Sequence, residues 1–276
     1  MLKIKFAIIY FGLLIFSSAL LISCSEDNNN NVITPVPVDS SDFRYPFTDN
    51  STWSYTITRT ASDIQPDSIL HYFTVNPIVV NGRVTILYDT MINSVSTKCF
   101  LDEFTDSGIS YSNRYYYINN DTSLILYVQR QGNRTGLLPL KKIRNPLIIP
   151  DNDNFISQNN LEQLAAGDYP YLTLKYPMVT GTEWVNEYFV GNVTNKYLGF
   201  ENITAADGII SCMKKQDIYS NFPGTFYNYY SKYGLIKTYS YVNDITHTTV
   251  NNPDGDGTFD LTQESVITSY NIPAVQ

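Results

Sequence analysis

The chain has 276 residues, a formal net charge of −8 and 23 tyrosines, with only 16% of its residues charged. An acidic chain this sparse in charge carries no basic footprint for nucleic acid or for anionic lipid heads. Thr, Ile, Val, Tyr and Phe dominate, residues that suit a pleated, half-buried surface, and long Ala/Leu/Glu/Lys stretches are absent, so composition predicts a mainly β protein.

Lys3 and Lys5 precede a nearly unbroken apolar run from Phe6 to Ile22, closed by Leu21-Ile22-Ser23-Cys24. A short basic region, an apolar core and a small residue before the cut describe a secretory signal peptide. The cysteine directly after Leu-Ile-Ser makes the segment resemble a bacterial lipoprotein signal. That resemblance implies lipid, such as palmitate, on the Cys24 thiol and removal of residues 1–23. A transmembrane anchor fits less well, because the run falls slightly short of the roughly 20 residues a spanning helix needs. No basic cluster follows it, as a stop-transfer helix would show. An ordinary cleaved signal is the other alternative. Ser25-Glu26-Asp27 resembles the surface-export signal of Bacteroidota lipoproteins, which implies a surface-exposed outer-membrane protein, with a periplasm-facing body as the alternative. Removing residues 1–23 from 276 leaves 253, and losing Lys3 and Lys5 takes the charge from −8 to −10. That length suits one large β domain or two small ones.

Residues 24–42 read as a disordered tether. From Ser25 to Asp42 the chain is Asn-rich, then spaced by Pro35 and Pro37, and it cannot bury enough apolar surface to order itself. Drawn out fully at roughly 3.3–3.6 Å per residue, it reaches about 60 Å.

The β-rich body, 43–276, opens with Tyr45-Pro46-Phe47 and Trp53; later, Tyr176-Pro177-Met178 leads to Trp184 at the same spacing. This echo predicts two similar halves, 43–150 and 168–276. Strands are expected from both tryptophans onward and over 69–75, 83–92, 95–104, 122–130, 194–203, 208–219, 235–242 and 259–270. Two Tyr-dense runs, Tyr111 to Ile118 and Phe226 to Tyr233, add further strands. Asn81-Gly82, Asp106-Ser107-Gly108, Gly132-Asn133, Asp207-Gly208 and Pro223-Gly224 supply turns. At most one or two short helices are expected, the clearest from Asn159 to Ala166 before Gly167. The expected fold is antiparallel sheet, arranged as a sandwich or as open half-barrels.

The two Tyr-Pro-apolar…Trp segments, Leu198-Gly199-Phe200-Glu201-Asn202-Ile203-Thr204-Ala205-Ala206-Asp207-Gly208, the nearby Cys212, and Tyr229-Tyr230-Ser231-Lys232-Tyr233-Gly234-Leu235-Ile236-Lys237 resemble a broad set of uncharacterised lipoproteins of Bacteroidota. The resemblance spans about 43–272 and implies class and location, with no activity to carry over. The chain departs from that pattern at 207–209, where Asp-Gly-Ile replaces an Ala-Gly-Thr-Phe turn.

With Cys24 assigned to lipid, Cys99 and Cys212 allow one disulfide at most, which an oxidising envelope permits. Both lie in apolar strand-like runs, where a cysteine behaves as a small hydrophobe, so two buried thiols are the favoured reading. The segment Asn252 to Gln263 resembles an EF-hand or dockerin calcium loop. The resemblance implies oxygen ligands from Asn252, Asp254, Asp256, Asp260 and the Thr258 carbonyl. Its twelfth position is Gln263 instead of a bidentate acid and its flanks read as strands, so a hairpin loop using Asp and Gly for turn geometry is favoured over calcium. His71 and His247, the only histidines, come without a Gly-x-Ser-x-Gly turn or metal-ligand spacing, and read as strand residues. Asp102-Glu103 and Glu183/Glu187 lack the character of a glycosidase pair, since adjacent strand residues point to opposite faces.

Tyr111, Tyr115, Tyr117, Tyr227 and Tyr229 are candidate ligand-facing aromatics, able to stack on sugars or surround an apolar ligand. The alternative is that these rings cover the edge of the core. The favoured function is therefore a non-enzymatic, membrane-anchored envelope or cell-surface lipoprotein that binds a glycan, a protein or another ligand, or serves a structural role. The alternative is a carrier or sensor enclosing an apolar ligand, which requires a cavity of about 300 Å³ or more. A hydrolase is the third reading.

Overall fold

The computed structural model describes residues 43–106, 109–131, 170–188, 191–205, 208–220, 223–247 and 255–274. The signal, the tether and the expected helix at 159–166 lie outside the described residues. Twelve strands follow in chain order: β1 Thr52–Gln65, β2 Ile78–Ile92, β3 Val95–Asp106, β4 Ile109–Asn119, β5 Ser123–Gln131, β6 Tyr171–Lys175, β7 Glu183–Tyr188, β8 Gly191–Ala205, β9 Gly208–Tyr219, β10 Thr225–Ser231, β11 Gly234–His247 and β12 Gly257–Asn271. They form one sheet in the order β6-β5-β4-β3-β2-β1-β12-β11-β10-β9-β8-β7, nearly closed into a barrel. The mainly antiparallel β class is as expected. The sheets anticipated as a sandwich or half-barrels are a single sheet, because β1 pairs along its length with β12 and joins two six-strand runs. Trp53 stands in β1 and Trp184 in β7, the first strand of each run.

Alternation builds the wall. Along β1, Trp53, Tyr55, Ile57 and Arg59 are buried, while Ser54, Thr56 and Thr58 between them are half-buried. β12 matches it with Phe259, Leu261, Gln263, Ser265 and Ile267 buried. This period of two is what a strand with one covered face requires. The covered face is the barrel interior, where β8 reaches across to β11 and β12.

The interior is largely aromatic. Trp53, fully buried, stacks at 6.5 Å on Phe100 and lies 5.9 Å from Tyr45, and Phe100 meets Tyr117 edge-on at 4.9 Å. Trp53 Nε1 donates to the Tyr233 carbonyl at 2.6 Å and the Tyr55 hydroxyl to the Leu235 carbonyl at 3.0 Å. These bonds tie β1 to the β10–β11 hairpin across the intervening β12. Gly234 is required there: its φ is +100°, and a Cβ would lie 3.0 Å from Trp53 Nε1.

The expected strand at 69–75 is corrected to a 3-10 helix, Asp67–Phe73, the one helix among the described residues. Its β-rich composition is overridden by position. The segment must turn the chain between two long strands, and the helix buries Ile69, 2% exposed, against Gly257 at the start of β12. β6 was not anticipated: five residues give too short a pattern to read.

β6 and β7 are the two sheet edges, and side chains rather than a ladder join them. The Leu172 amide donates to Asn186 Oδ1 at 2.9 Å, and its carbonyl accepts from Trp184 Nε1 at 2.8 Å and Asn186 Nδ2 at 3.2 Å. Further along β6, the Tyr197 hydroxyl accepts from the Lys175 amide at 3.0 Å and donates to the Lys175 carbonyl at 2.9 Å. Backbone groups that an open edge would leave unpaired are thus satisfied. Asn186→Ala removes two of these bonds and leaves the Leu172 amide without its acceptor. We expect a loss of about 1–3 kcal/mol in urea unfolding, with faster amide exchange confined first to 171–175. Unchanged exchange there would contradict the seam.

Candidate functional site

The barrel interior holds a cavity of about 30 Å³ lined by Tyr45, Tyr55, Phe100, Asp102, Tyr117 and Tyr230. That is room for about one water molecule, a tenth of the roughly 300 Å³ at which ligand pockets begin. Burial holds the hydroxyls of Tyr55, Tyr117 and Tyr230 well above the usual phenol range. The lining is therefore neutral rings with hydroxyl tips, packed against one another.

The five candidate tyrosines do not make one face. Tyr115 and Tyr117, 5% and 9% exposed, are part of the core and have no ligand-facing surface. Tyr227 and Tyr229 lie under Lys214, whose Nζ is 4.2 and 5.5 Å from their ring centres, and Tyr229 also meets Lys237 at 6.0 Å. Lys214 is held in turn by Glu201 at 2.9 Å. Cations occupy the places where a sugar would stack.

Tyr111 differs. It is half-buried and stacked on Phe104 at 4.7 Å with the rings 12° from parallel. In the register of β1 to β4, Tyr55, Gly82, Phe104 and Tyr111 form one row, and Gly82 leaves a gap in it. There an open depression of about 630 Å³ is bordered by Arg83, Glu103, Ser110, Ser112 and Thr268. Arg83, Glu103, Ser110 and Thr268 are exposed. By strand alternation Phe104 and Tyr111 share the face of the sheet that Tyr55 takes, while Arg83, Glu103, Ser110 and Ser112 take the other. The depression thus borders a stacked aromatic pair on one side of the wall and polar groups on the other.

The segment read against a calcium loop begins in the β11–β12 connection, and from Gly257 to Gln263 it is already strand β12, as a hairpin allows and a calcium loop does not. Asn252 and Asp254 lie outside the described residues. Asp256 Oδ1 sits 2.5 Å from His247 Nδ1. Asp260 accepts from the Tyr241 hydroxyl at 2.5 Å and the Asp244 amide at 3.0 Å. Thr258 pairs in the ladders to Gln65 and Thr246. The carboxylates described thus each have a protein partner and do not converge, and no group of three or more His, Cys, Asp or Glu suited to a metal occurs among the described residues.

Sequence reasoning missed how the two histidines lie. His71 is on the 3-10 helix, not on a strand, and Tyr72 stands 3.9 Å from its ring and 4.6 Å from that of His247. Nothing at the sequence level links residues 176 positions apart; only the turn of the chain after β1 brings them to one end of the barrel. Asp102 is buried among the rings while Glu103 is exposed, so the two do not act as a pair. Glu183 and Glu187 are both exposed on β7.

No family model and no curated protein matches the chain. Among solved structures it is similar to a protein of Bacteroides fragilis described as exported and of YmcC-like fold. Identity is 9% and the TM-score 0.38, over 83% of this chain and 99% of the other. It is also similar to a protein of Parabacteroides distasonis described as a lipoprotein, at 11% identity and a TM-score of 0.32, over 83% of this chain and 98% of the other. Likenesses of this strength carry nothing further to this chain.

Cys99 and Cys212 are buried in different clusters, and no disulfide joins them. Burial pushes the Cys212 thiol from 9.0 up to about 12. The charged form is disfavoured in the folded state, so this contribution to stability is complete below about pH 9 and is lost as pH rises toward 12. In mildly alkaline buffer, Cys212 should resist iodoacetamide in the folded protein and react fully in urea, as read by peptide mass. Labelling without denaturant would contradict its burial.

Proposed function

We propose that this chain is a membrane-anchored envelope lipoprotein, lipidated at Cys24 and exposed at the cell surface, whose barrel binds glycan without catalysing a reaction. One observation supports the binding reading: the stacked, half-buried Phe104–Tyr111 pair borders an open depression of about 630 Å³. A sugar ring can lay its C–H face on such a pair. The cavity among Tyr45, Tyr55, Phe100, Tyr117 and Tyr230, at about 30 Å³, is too small for an enclosed apolar ligand. The Asn-rich, Pro-spaced sequence that follows Cys24 supports the same reading, as a lipid on that cysteine would fix the chain to a membrane.

Two experiments test this. Cys24→Ala in the full chain should abolish palmitate incorporation and release the protein from the membrane fraction; retention of both would end the lipoprotein reading. Glycan-array profiling of the detergent-purified protein should give hits, and Tyr111→Ala should weaken a hit about three- to tenfold, the equivalent of about 0.5–1.5 kcal/mol of lost stacking. No binding by the wild type, or unchanged affinity in the variant, would overturn the glycan reading.

A further inference from the structure

Inside the barrel, apart from the depression at Tyr111, a lysine, an asparagine and an aspartate meet with almost no access to water. Lys215 and Asp217 on β9 and Asn195 on β8 are 1%, 3% and 0% exposed. Asn195 and Asp217 are directly paired across the two strands, and Lys215 is two residues from Asp217, so all three share the interior face. Lys215 Nζ donates to Asn195 Oδ1 at 2.8 Å and lies 2.8 Å from Asp217 Oδ1. The second contact is close but not aligned as a hydrogen bond, and Asp217 Oδ1 has no hydrogen-bond donor. Asp217 Oδ2 accepts from Asn228 Nδ2 at 2.8 Å. Asn195 Oδ1 also accepts from the Tyr171 hydroxyl at 2.9 Å, and Asn195 Nδ2 donates to the Val193 carbonyl at 3.1 Å. The Tyr171 and Trp184 rings stand 5.7 and 5.6 Å from Nζ.

We propose that Lys215 and Asn195 join in an intramolecular isopeptide bond, formed by the protein on itself with Asp217 as the proton carrier. Each part of the reaction has its group in place. The Asp217 carboxylate takes a proton from the Lys215 ammonium and leaves a neutral amine. That amine attacks Asn195 Cγ, the atom one bond beyond the oxygen it already touches, and the Nζ–Cγ bond forms. Negative charge gathers on Oδ1, where the Tyr171 hydroxyl donates. Protonated Asp217 then passes its proton to Nδ2, the Cγ–Nδ2 bond breaks and ammonia leaves. Asp217 takes the second proton from Nζ, so that the new amide is neutral and Asp217 ends protonated. One amine and one carboxamide become one secondary amide and ammonia, with no oxidant or co-reactant.

The surroundings favour this course. Burial raises the Asp217 carboxyl above the usual carboxylate range, which suits it to hold a proton during the reaction. A buried ion pair bears a desolvation cost that its mutual attraction only partly offsets, and the amide removes the lysine charge altogether. Fixed neighbours also spare the entropy of bringing amine and amide together. The exclusion of water protects the intermediate from hydrolysis.

The test is peptide mapping of the full chain, purified from membranes in detergent and digested with trypsin. The expected result is a branched peptide joining the segment that holds Asn195 to the one that holds Lys215, lighter than their sum by one ammonia and uncut after Lys215. Asp217→Asn and Lys215→Arg should both return linear peptides. Because either substitution can disturb the barrel, the wild-type map decides alone: linear peptides with cleavage after Lys215 would overturn the proposal.

Discussion

A twelve-stranded sheet that curls on itself encloses more space than aliphatic side chains fill. Around eight strands, a barrel interior is just wide enough to be packed by ordinary side chains, and beyond that a channel or ligand cavity tends to open. This chain fills the extra width with rings. Trp53, Tyr55, Phe100, Tyr117, Tyr197 and Tyr230 all point inward and are buried, and between several of them only about 30 Å³ is left. A tyrosine has a further advantage over phenylalanine here, because its hydroxyl reaches a backbone carbonyl beyond the neighbouring strand, as that of Tyr55 does at Leu235 across β12. The tyrosine surplus is therefore in large part the consequence of barrel width.

The second constraint is the sheet's two ends. β6 is only five residues long and β7 six, and each would offer unpaired backbone to any passing strand. Trp184, Asn186 and Tyr197 occupy that edge with side-chain groups that mimic a neighbouring strand's donors and acceptors. An asparagine amide suits this role because it presents one donor and one acceptor in a plane, as a peptide does.

Much of this was legible in the sequence and some was not, for physical reasons. Strands with strict alternation read directly: β9 falls at 208–219 as expected, and β1, β3 and β12 lie within a few residues of expectation, apart from the tail of β1 beyond Thr58. The segment 69–75 misled because β-branched and aromatic content is a weak preference that a tight connection overrides. β6 is silent in the sequence because five residues hold two or three inward positions. At the sites, Tyr115 and Tyr117 illustrate a limit of pattern reading. Alternation puts them on one side with Tyr111, but which side faces the interior depends on how the sheet closes, and Tyr111 alone lies where the row opens at Gly82. Lys215, Asn195 and Asp217 gave no signal because their meeting depends on the register of β8 against β9, and charged residues in a strand read as solvent-facing.

The seam and the buried charge turn out to be parts of one arrangement. Tyr171, on edge strand β6, bonds Asn195 on β8; Trp184, whose indole closes the seam at Leu172, also stands over Lys215. Closing a sheet by side chains rather than a ladder brings polar groups into the interior, and each of those needs partners of its own. Lys215 supplies a donor to Asn195, Asp217 balances Lys215, and Asn228 steadies Asp217. The chain of requirements starts at a missing strand–strand ladder and ends at a buried lysine. An apolar residue at position 215 would pack more cheaply, yet it would leave Asn195 Oδ1 with Tyr171 as its single donor and Asp217 as an uncompensated buried charge. The ion pair is thus bound up with how this barrel closes.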